Sequence, residues 1–297
     1  MKAKPVVILL LLLFLALPAS AEDKRPCLSE FFRLTSKEGK KQPQTLDTAI
    51  VSFAGDKDVT VDLIGVIHIG DKEYYEELNE RFQGYDVVLY ELVAPEGTRL
   101  NPEEVRKSPD KRNGLLSQFQ FGVSDLLGLV HQLEYIDYEA KNLVHADMNG
   151  PEFLARVNER GDLQQMILRA YVAALAKSQK DQGAIEAGLV AALFVKDKTL
   201  SLKRLFAAEM VSSLAEGAWI IGGSDGSAII TDRNDVALKK LQNQIAKGHK
   251  KIAIFYGTAH LPEFAEKLVS EFKMQPNPEP VWVTAWDMTP NKSARTK

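Results

Sequence analysis

Residues 60–68, TVDLIGVIH, and residues 251–260, KIAIFYGTAH, share one pattern, and that pattern decides the fold. Each stretch is an apolar run rich in β-branched residues, followed by a glycine and by a histidine three positions later. Such a run predicts a buried strand. In both places an amphipathic helical pattern follows, over residues 71–82 and 262–272. Strand, turn and helix therefore occur twice in the same order.

Further apolar runs extend this arrangement. The predicted strands are residues 59–67, 86–92, 142–146 and 251–256, with a late strand at 281–286. Strands that alternate with helices predict an α/β fold, with a largely parallel central sheet flanked by helices and joined by right-handed crossovers. The charged, Gly- and Pro-containing residues 22–58 predict an extended piece or a hairpin before the sheet begins.

The middle of the chain has a different character. Residues 101–217 predict a helical insertion into a single domain that spans residues 22–297 and ends in a frayed tail at 289–297. Its predicted helices are residues 115–138, 163–177, 184–194 and 202–214. Residues 115–133 contain Asp125 as their only charge, which favours a core helix or a lid over a membrane-leaning hairpin.

The first 21 residues have the composition of an export signal. Lys2 and Lys4 precede an apolar run at residues 6–17, and Ala-Ser-Ala at 19–21 is a typical cleavage site. The apolar run is shorter than the roughly 20 residues that span a bilayer. A single cysteine, Cys27, excludes a disulfide framework and favours a bacterial periplasm. The net charge of −3 argues against nucleic acid as a partner.

An ionisable group stands at or just after the end of each of the four predicted strands. His68 follows the first, Glu91 lies near the end of the second, Asp147 follows the third and His260 lies just beyond the fourth. Ligands of parallel α/β sheets bind outside the carboxyl ends of the strands. We therefore expect these four side chains to form one site.

The Gly-x-x-His spacing occurs at Gly65–His68 and at Gly257–His260. With 19 Gly and 5 His in the chain, chance would produce about 0.3 such spacings. We interpret each glycine as the residue that lets the chain leave the strand in a tight or positive-φ turn. The histidine that follows can act as a base or a metal ligand.

Other polar residues are candidates for the same site. Glu91 lies in an apolar run, where a carboxylate needs a cation or a hydrogen-bonding partner. His145 and Asp147 alternate along one strand, so they share a face, and we expect at most one of them to function. Arg233 and Asn234 stand at the predicted cap of a helix, where the guanidinium could stabilise an oxyanion.

At these residues the sequence resembles the TraB/GumN family, to which the Tiki Wnt-inactivating proteases are related. The matching residues are 63–68 (LIGVIH), 86–92 (DVVLYEL), 233–234 (RN) and 254–262 (IFYGTAHLP). The resemblance implies a fold similar to erythromycin esterases and haem-iron-binding ChaN proteins. It also implies a polar site made of His68, Glu91, Arg233, Asn234 and His260, and for the Tiki-like activity a divalent metal.

Three functions are compatible with these residues. The first is a metal-dependent hydrolase of peptide or small-molecule ester bonds, in which His68, Glu91, His260 and Asp147 hold Mn, Co or Zn. The second is a metal-free, esterase-like hydrolase, in which Glu91 and a histidine act as general base for water. The third is a non-enzymatic periplasmic protein that binds haem or a metal through a histidine.

Overall fold

The structure is a computed structural model that describes residues 31–36, 42–107, 124–176, 191, 194–195, 197–222 and 226–290. The predicted export signal, Cys27 and most of the predicted tail lie outside these ranges. The predicted helix at 184–194 also lies outside them, apart from residues 191 and 194.

The predicted α/β class is confirmed, because a central sheet lies between two layers of helices. The strands are β1 Phe32–Thr35, β2 Thr45–Ala54, β3 Thr60–Val66, β4 Ile69–Gly70, β5 Val87–Tyr90, β6 Val130–His131, β7 Leu143–His145, β8 Lys251–Gly257, β9 Gln275–Pro276 and β10 Val281–Asp287. The helices are α1 Lys72–Phe82, α2 Pro102–Lys107, α3 Gly150–Arg160, α4 Asp162–Ala176, α5 Lys198–Gly222, α6 Arg233–Ala246 and α7 Leu261–Ser270.

The sheet is mixed and its strand order is β1–β2–β3–β8–β5–β7, with β9 and β10 paired to β2. The four strands predicted from the apolar runs form its parallel half, β3–β8–β5–β7. Their carboxyl ends therefore meet at one edge. A separate two-stranded ribbon joins β4 to β6.

Residues 22–58 were expected to form an extended piece or a hairpin before the sheet. In the part that the structure describes, β1 and β2 do pair as an antiparallel hairpin, but the expected place before the sheet is wrong. β1 and β2 belong to the sheet, and β2 joins the parallel half to β10: Ile50 pairs with Ile64 of β3 and with Val281 of β10. The flanking charged residues and glycine dominate the composition of this region and obscure a ten-residue strand with a largely buried interior.

Side chains of the parallel strands alternate between two hydrophobic layers, as the period of a strand requires. Ile64 and Phe255 pack on one face, against α1 and α5. Leu63 and Ile254 pack on the other face, against α6 and α7. Because both faces are covered, these strands carry continuous apolar runs and are recognisable from the sequence.

The predicted helices at 163–177 and 202–214 are confirmed by α4 and α5, and α3 is a helix that was not predicted. The predicted helix at 115–138 is wrong over residues 128–138. Gly128 adopts a left-handed conformation with φ 64°, which ends the helical turn before it. Strand β6 and the 3-10 turn Gln132–Glu134 follow. The apolar side chains Leu129, Ile136 and Tyr138 are buried in the core without a helix.

Within the parts of the chain that the structure describes, no helix combines the length and the apolar character needed to cross a lipid bilayer.

Candidate functional site at the carboxyl edge of the sheet

The predicted strand-end groups do meet at the carboxyl edge of the parallel strands, and Arg233 joins them. Its Nε and Nη2 lie 2.9 and 2.6 Å from the two carboxylate oxygens of Asp147. Its Nη2 also lies 2.6 Å from Glu91 Oε1. The residue after β5, the segment after β7 and α6 are thus bonded into one buried cluster.

The local chain path explains why Arg233 points into this edge. The π-helical turn Ala228–Asp232 precedes α6, so α6 begins at Arg233. Burial opposes the charge of the guanidinium, but the two carboxylates raise the pKa of Arg233 above its ordinary value. From α3, the ring of Phe153 covers the guanidinium, with its centre 5.8 Å from Arg233 Cζ.

Glu91 is ionised at neutral pH. Burial alone would raise its pKa, but His260, Arg233, His68 and the Gly257 N–H together lower the pKa of Glu91 to about 2. The Gly257 N–H donates to Glu91 Oε2 at 2.5 Å. Each carboxylate oxygen of Glu91 therefore has a fixed donor.

His260 is buried and held in one orientation. Its Nδ1 lies 2.6 Å from Asn234 Oδ1, and Asn234 Nδ2 donates to the His260 carbonyl at 3.3 Å. Because an amide oxygen only accepts, Nδ1 carries the ring proton and Nε2 is left as an acceptor. Nε2 lies 3.5 Å from Arg233 Nη1 and 3.6 Å from Glu91 Oε1. Burial lowers the pKa of His260 to about 4, although Glu91 opposes this shift.

His68 lies exposed at the mouth of the site, between β3 and β4. Its Nδ1 lies 3.0 Å from Gln132 Oε1, so here too a carboxamide oxygen accepts from Nδ1 and leaves Nε2 free. The two histidines of the repeated motif thus have equivalent partners, Gln132 for His68 and Asn234 for His260.

Neither glycine of the two motifs adopts a positive φ, so that alternative of the prediction is wrong. The chain does leave β8 in a tight turn, because Gly257 leads directly into the 3-10 turn Thr258–His260. Both glycines also provide space. A Cβ at Gly257 would lie 3.1 Å from Glu91 Oε2 and 3.8 Å from His68 Nε2. A Cβ at Gly65 would lie 3.0 Å from Leu261 Cδ2. Gly257 therefore forms the floor of the site, and the side chains of Glu91, His68 and His260 all lie close to its Cα.

His145, the last residue of β7, and Asp147, two residues later, were alternative candidates for the site. The structure places Asp147 in the site and His145 outside it. The Asp147 side chain is fully buried against Arg233. His145 Nε2 lies 2.6 Å from the Leu92 carbonyl and has a structural partner there.

Sequence reasoning missed Gln132, Phe153 and the Gly257 N–H as parts of the site. Gln132 is only 3% exposed, and a buried polar residue inside the apolar residues 127–138 is a signal that could have identified it. Phe153 has no comparable signal, because an aromatic residue on an amphipathic helix is ordinary.

Comparison of the chain with protein-family models, with curated proteins and with solved structures finds no match. Nor do three His, Cys, Asp or Glu side chains among the described residues form a ready-made metal-binding group. Any assignment of function rests on the geometry and on the motifs.

Proposed function

We propose that this protein is an exported, metal-dependent hydrolase of the TraB/GumN type, with His68, Glu91 and His260 as the functional side chains. The observation that carries the proposal is the matched state of the two histidines. In each, a side-chain carboxamide accepts from Nδ1, so Nε2 is left as an acceptor. For His260, Nε2 lies 3.6 Å from Glu91 Oε1.

The donor types of these side chains suit a divalent metal of the Zn, Co or Mn class, although in the structure the three side chains do not form a ready-made metal-binding group. Such metals take neutral imidazole nitrogen and carboxylate oxygen, and ligating histidines commonly donate their other ring N–H to a second group. At neutral pH no proton has to leave His260 or Glu91 before a metal binds, because the pKa values of both groups are low. When bound, the metal would acidify a water molecule and polarise a scissile carbonyl.

Asp147 and Arg233 have a supporting role in this site, as residues that position Glu91. Both oxygens of Asp147 accept from Arg233, so we assign Asp147 to the positioning of Arg233 and not to the metal. The same guanidinium donates to Glu91, and it therefore holds both carboxylates in place. This replaces the oxyanion role expected from the sequence.

A metal-free hydrolase is the second candidate, and one observation favours it. The Arg233 guanidinium already supplies a positive charge 2.6 Å from Glu91 Oε1 and 3.5 Å from His260 Nε2. In that reaction His68 Nε2, at the exposed mouth, takes the proton from water, and Glu91 orients the water through Oε2.

Peptides and small esters are the proposed substrates, and the periplasm is the proposed location. Both proposals rest on the sequence motifs and on the signal at residues 1–21.

Metal analysis of the purified protein, combined with hydrolysis of casein and p-nitrophenyl esters, tests the proposal. We expect bound metal and a hydrolytic activity that a chelator removes and that Mn, Co or Zn restores. Both should be lost in a His68→Ala/His260→Ala double variant. His249→Gln is the matched control, because His249 lies in the turn before β8, at the opposite end of the sheet.

Chelator-resistant hydrolysis that Glu91→Gln abolishes would select the metal-free reaction. Absence of hydrolysis together with absence of metal would overturn the hydrolase proposal. A haem absorption band that depends on His68 or His260 would then support a binding protein.

A further inference from the structure

We propose that Gln132 is a positioning residue that selects the tautomer of His68 and so presents Nε2 to the site. The claim about the tautomer stands on the contacts of Gln132 alone. Its consequence for metal affinity and hydrolysis rests on the function proposed above.

Gln132 contacts His68 through both its side chain and its backbone. The side-chain Oε1 accepts from His68 Nδ1 at 3.0 Å, and the Gln132 N–H donates to the His68 carbonyl at 2.9 Å. The other end of the amide is also fixed, because Nε2 donates to Tyr138 Oη at 2.7 Å. Gln132 and Tyr138 are 3% and 0% exposed, so their mutual hydrogen bond is shielded from solvent.

The backbone around both residues keeps them in register. His68 directly precedes β4, and Gln132 directly follows β6, which is the strand that pairs with β4. Ile69 pairs with His131, and the Trp286 indole donates to the Ile69 carbonyl at 2.7 Å. An exposed histidine on a loop is therefore aligned by a short ribbon that is itself anchored to β10.

The amide orientation determines which ring nitrogen faces the site. With Oε1 toward His68, the ring proton is on Nδ1 and Nε2 carries a lone pair, as a metal ligand or a base for water requires. With the amide reversed, Nε2 would carry the proton and could do neither. A residue that accepts a hydrogen bond from a metal-ligating histidine commonly contributes about 10–100-fold to metal affinity or activity.

Imidazole ¹⁵N–¹H correlation spectra of the full protein at neutral pH test the tautomer directly, with the His68 signals assigned by their loss in His68→Asn. We expect the Nδ1–H tautomer in the wild type. It should persist in Gln132→Glu, which keeps an acceptor oxygen, and give way to the Nε2–H tautomer in Gln132→Leu. Asn142→Leu is the control, because Asn142 bridges the carbonyls of Phe82 and Tyr85 at the far end of β7.

Titration with Zn²⁺ supplies the functional measurement. We expect Gln132→Leu to weaken binding by about 10–100-fold, and Gln132→Glu and Asn142→Leu to leave it within a few-fold. An Nε2–H tautomer in the wild type, or unchanged His68 signals in Gln132→Leu, overturns the proposal.

If Gln132→Leu does not fold, Tyr138→Phe replaces it, since loss of the Tyr138 oxygen frees the amide to reverse and should populate both tautomers. If the wild type binds no Zn²⁺ but shows the Nδ1–H tautomer, the metal-dependent function fails and the role of Gln132 is upheld.

Discussion

Arg233 forms ion pairs with both Glu91 and Asp147. Its substitution therefore tests how much these buried ion pairs contribute to stability. We expect Arg233→Ala to lower the free energy of unfolding by about 3–5 kcal/mol, because it leaves two buried carboxylates without a counter-charge. Arg233→Lys should also destabilise, since an ammonium cannot reproduce the paired bonds to Asp147. Urea unfolding measures both changes.

Arg160→Ala is the matched control, because Arg160 pairs with Asp232 just before Arg233 but is 37% exposed. Its loss should cost less than about 1 kcal/mol. Equal losses for the two arginines would show that the cluster around Arg233 is no more than a surface ion pair.

The low pKa of His260 makes stability depend on pH. The folded protein has a pKa of about 4 at His260, below the ordinary value of 6.5, so between these values the unfolded chain binds a proton that the folded chain does not. The contribution of neutral His260 to stability is therefore complete above pH 6.5 and is lost as the pH falls toward 4. It amounts to on the order of 3 kcal/mol.

Urea midpoints measured from pH 7 to pH 4 in the presence of a chelator test this. His260→Gln should flatten the profile in that range, and the exposed control His68→Gln should not. A profile of His260→Gln that parallels the wild type would contradict the assignment of a neutral, buried imidazole.

Much of the site could be predicted from single residues, and the reason is physical. A carboxylate or a histidine at the end of an apolar strand is expensive to bury, so Glu91, Asp147 and His260 were recognisable without a structure. Gln132 was not predicted, because it lies on a segment whose apolar pattern resembled a helix. Its role depends on a contact with His68, which is distant in sequence.

At the scale of elements, the two Gly-x-x-His turns differ in the atoms that a side chain at the glycine position would press against. We expect Gly257→Ala to reduce Zn²⁺ affinity and hydrolysis by at least about 10-fold, since its Cβ would lie 3.1 Å from Glu91 Oε2 and would displace that carboxylate. Gly65→Ala should instead lower stability by about 1–3 kcal/mol, because its Cβ would press on Leu261 in the core. Metal titration and urea unfolding of both variants separate the two effects.

Gly150→Ala serves as the control for both. Gly150 opens α3, and a Cβ added there would have no atom within 4 Å, so the change should be neutral or should stabilise by up to about 1 kcal/mol. If Gly257→Ala behaved like Gly150→Ala, the floor of the site would not need a glycine.

Elements were predictable where both faces of a strand are buried or where a helix is plainly amphipathic. β3, β5, β7 and β8 meet the first condition, and α1 and α7 meet the second. The prediction of a helix at 115–138 was wrong over residues 128–138, because the spacing of apolar residues gives no information on the left-handed conformation of Gly128. Only tertiary packing shows that those apolar residues reach the core through a strand and a turn.

At the scale of the whole molecule, the proposed metal would add a further link among the segments that follow β3, β5 and β8. We expect Zn²⁺ at about 100 times its Kd to raise the free energy of unfolding by about 2.7 kcal/mol, since it binds the folded state alone. Thermal unfolding with and without metal measures this. The increase should disappear in His68→Ala and remain in His249→Gln, and an equal increase in both variants would indicate binding elsewhere.

The position of β8 between β3 and β5 has a consequence for how the protein is made. Both neighbours of β8 are synthesised long before it, so their facing edges have no partner until residues 251–257 emerge. Parallel pairing over so long a separation is intrinsically slow, and unpaired strands are prone to aggregation. Residues 257–260 complete the site directly after the same strand. A nascent chain interrupted before residue 251 therefore has neither a continuous sheet nor a complete functional centre.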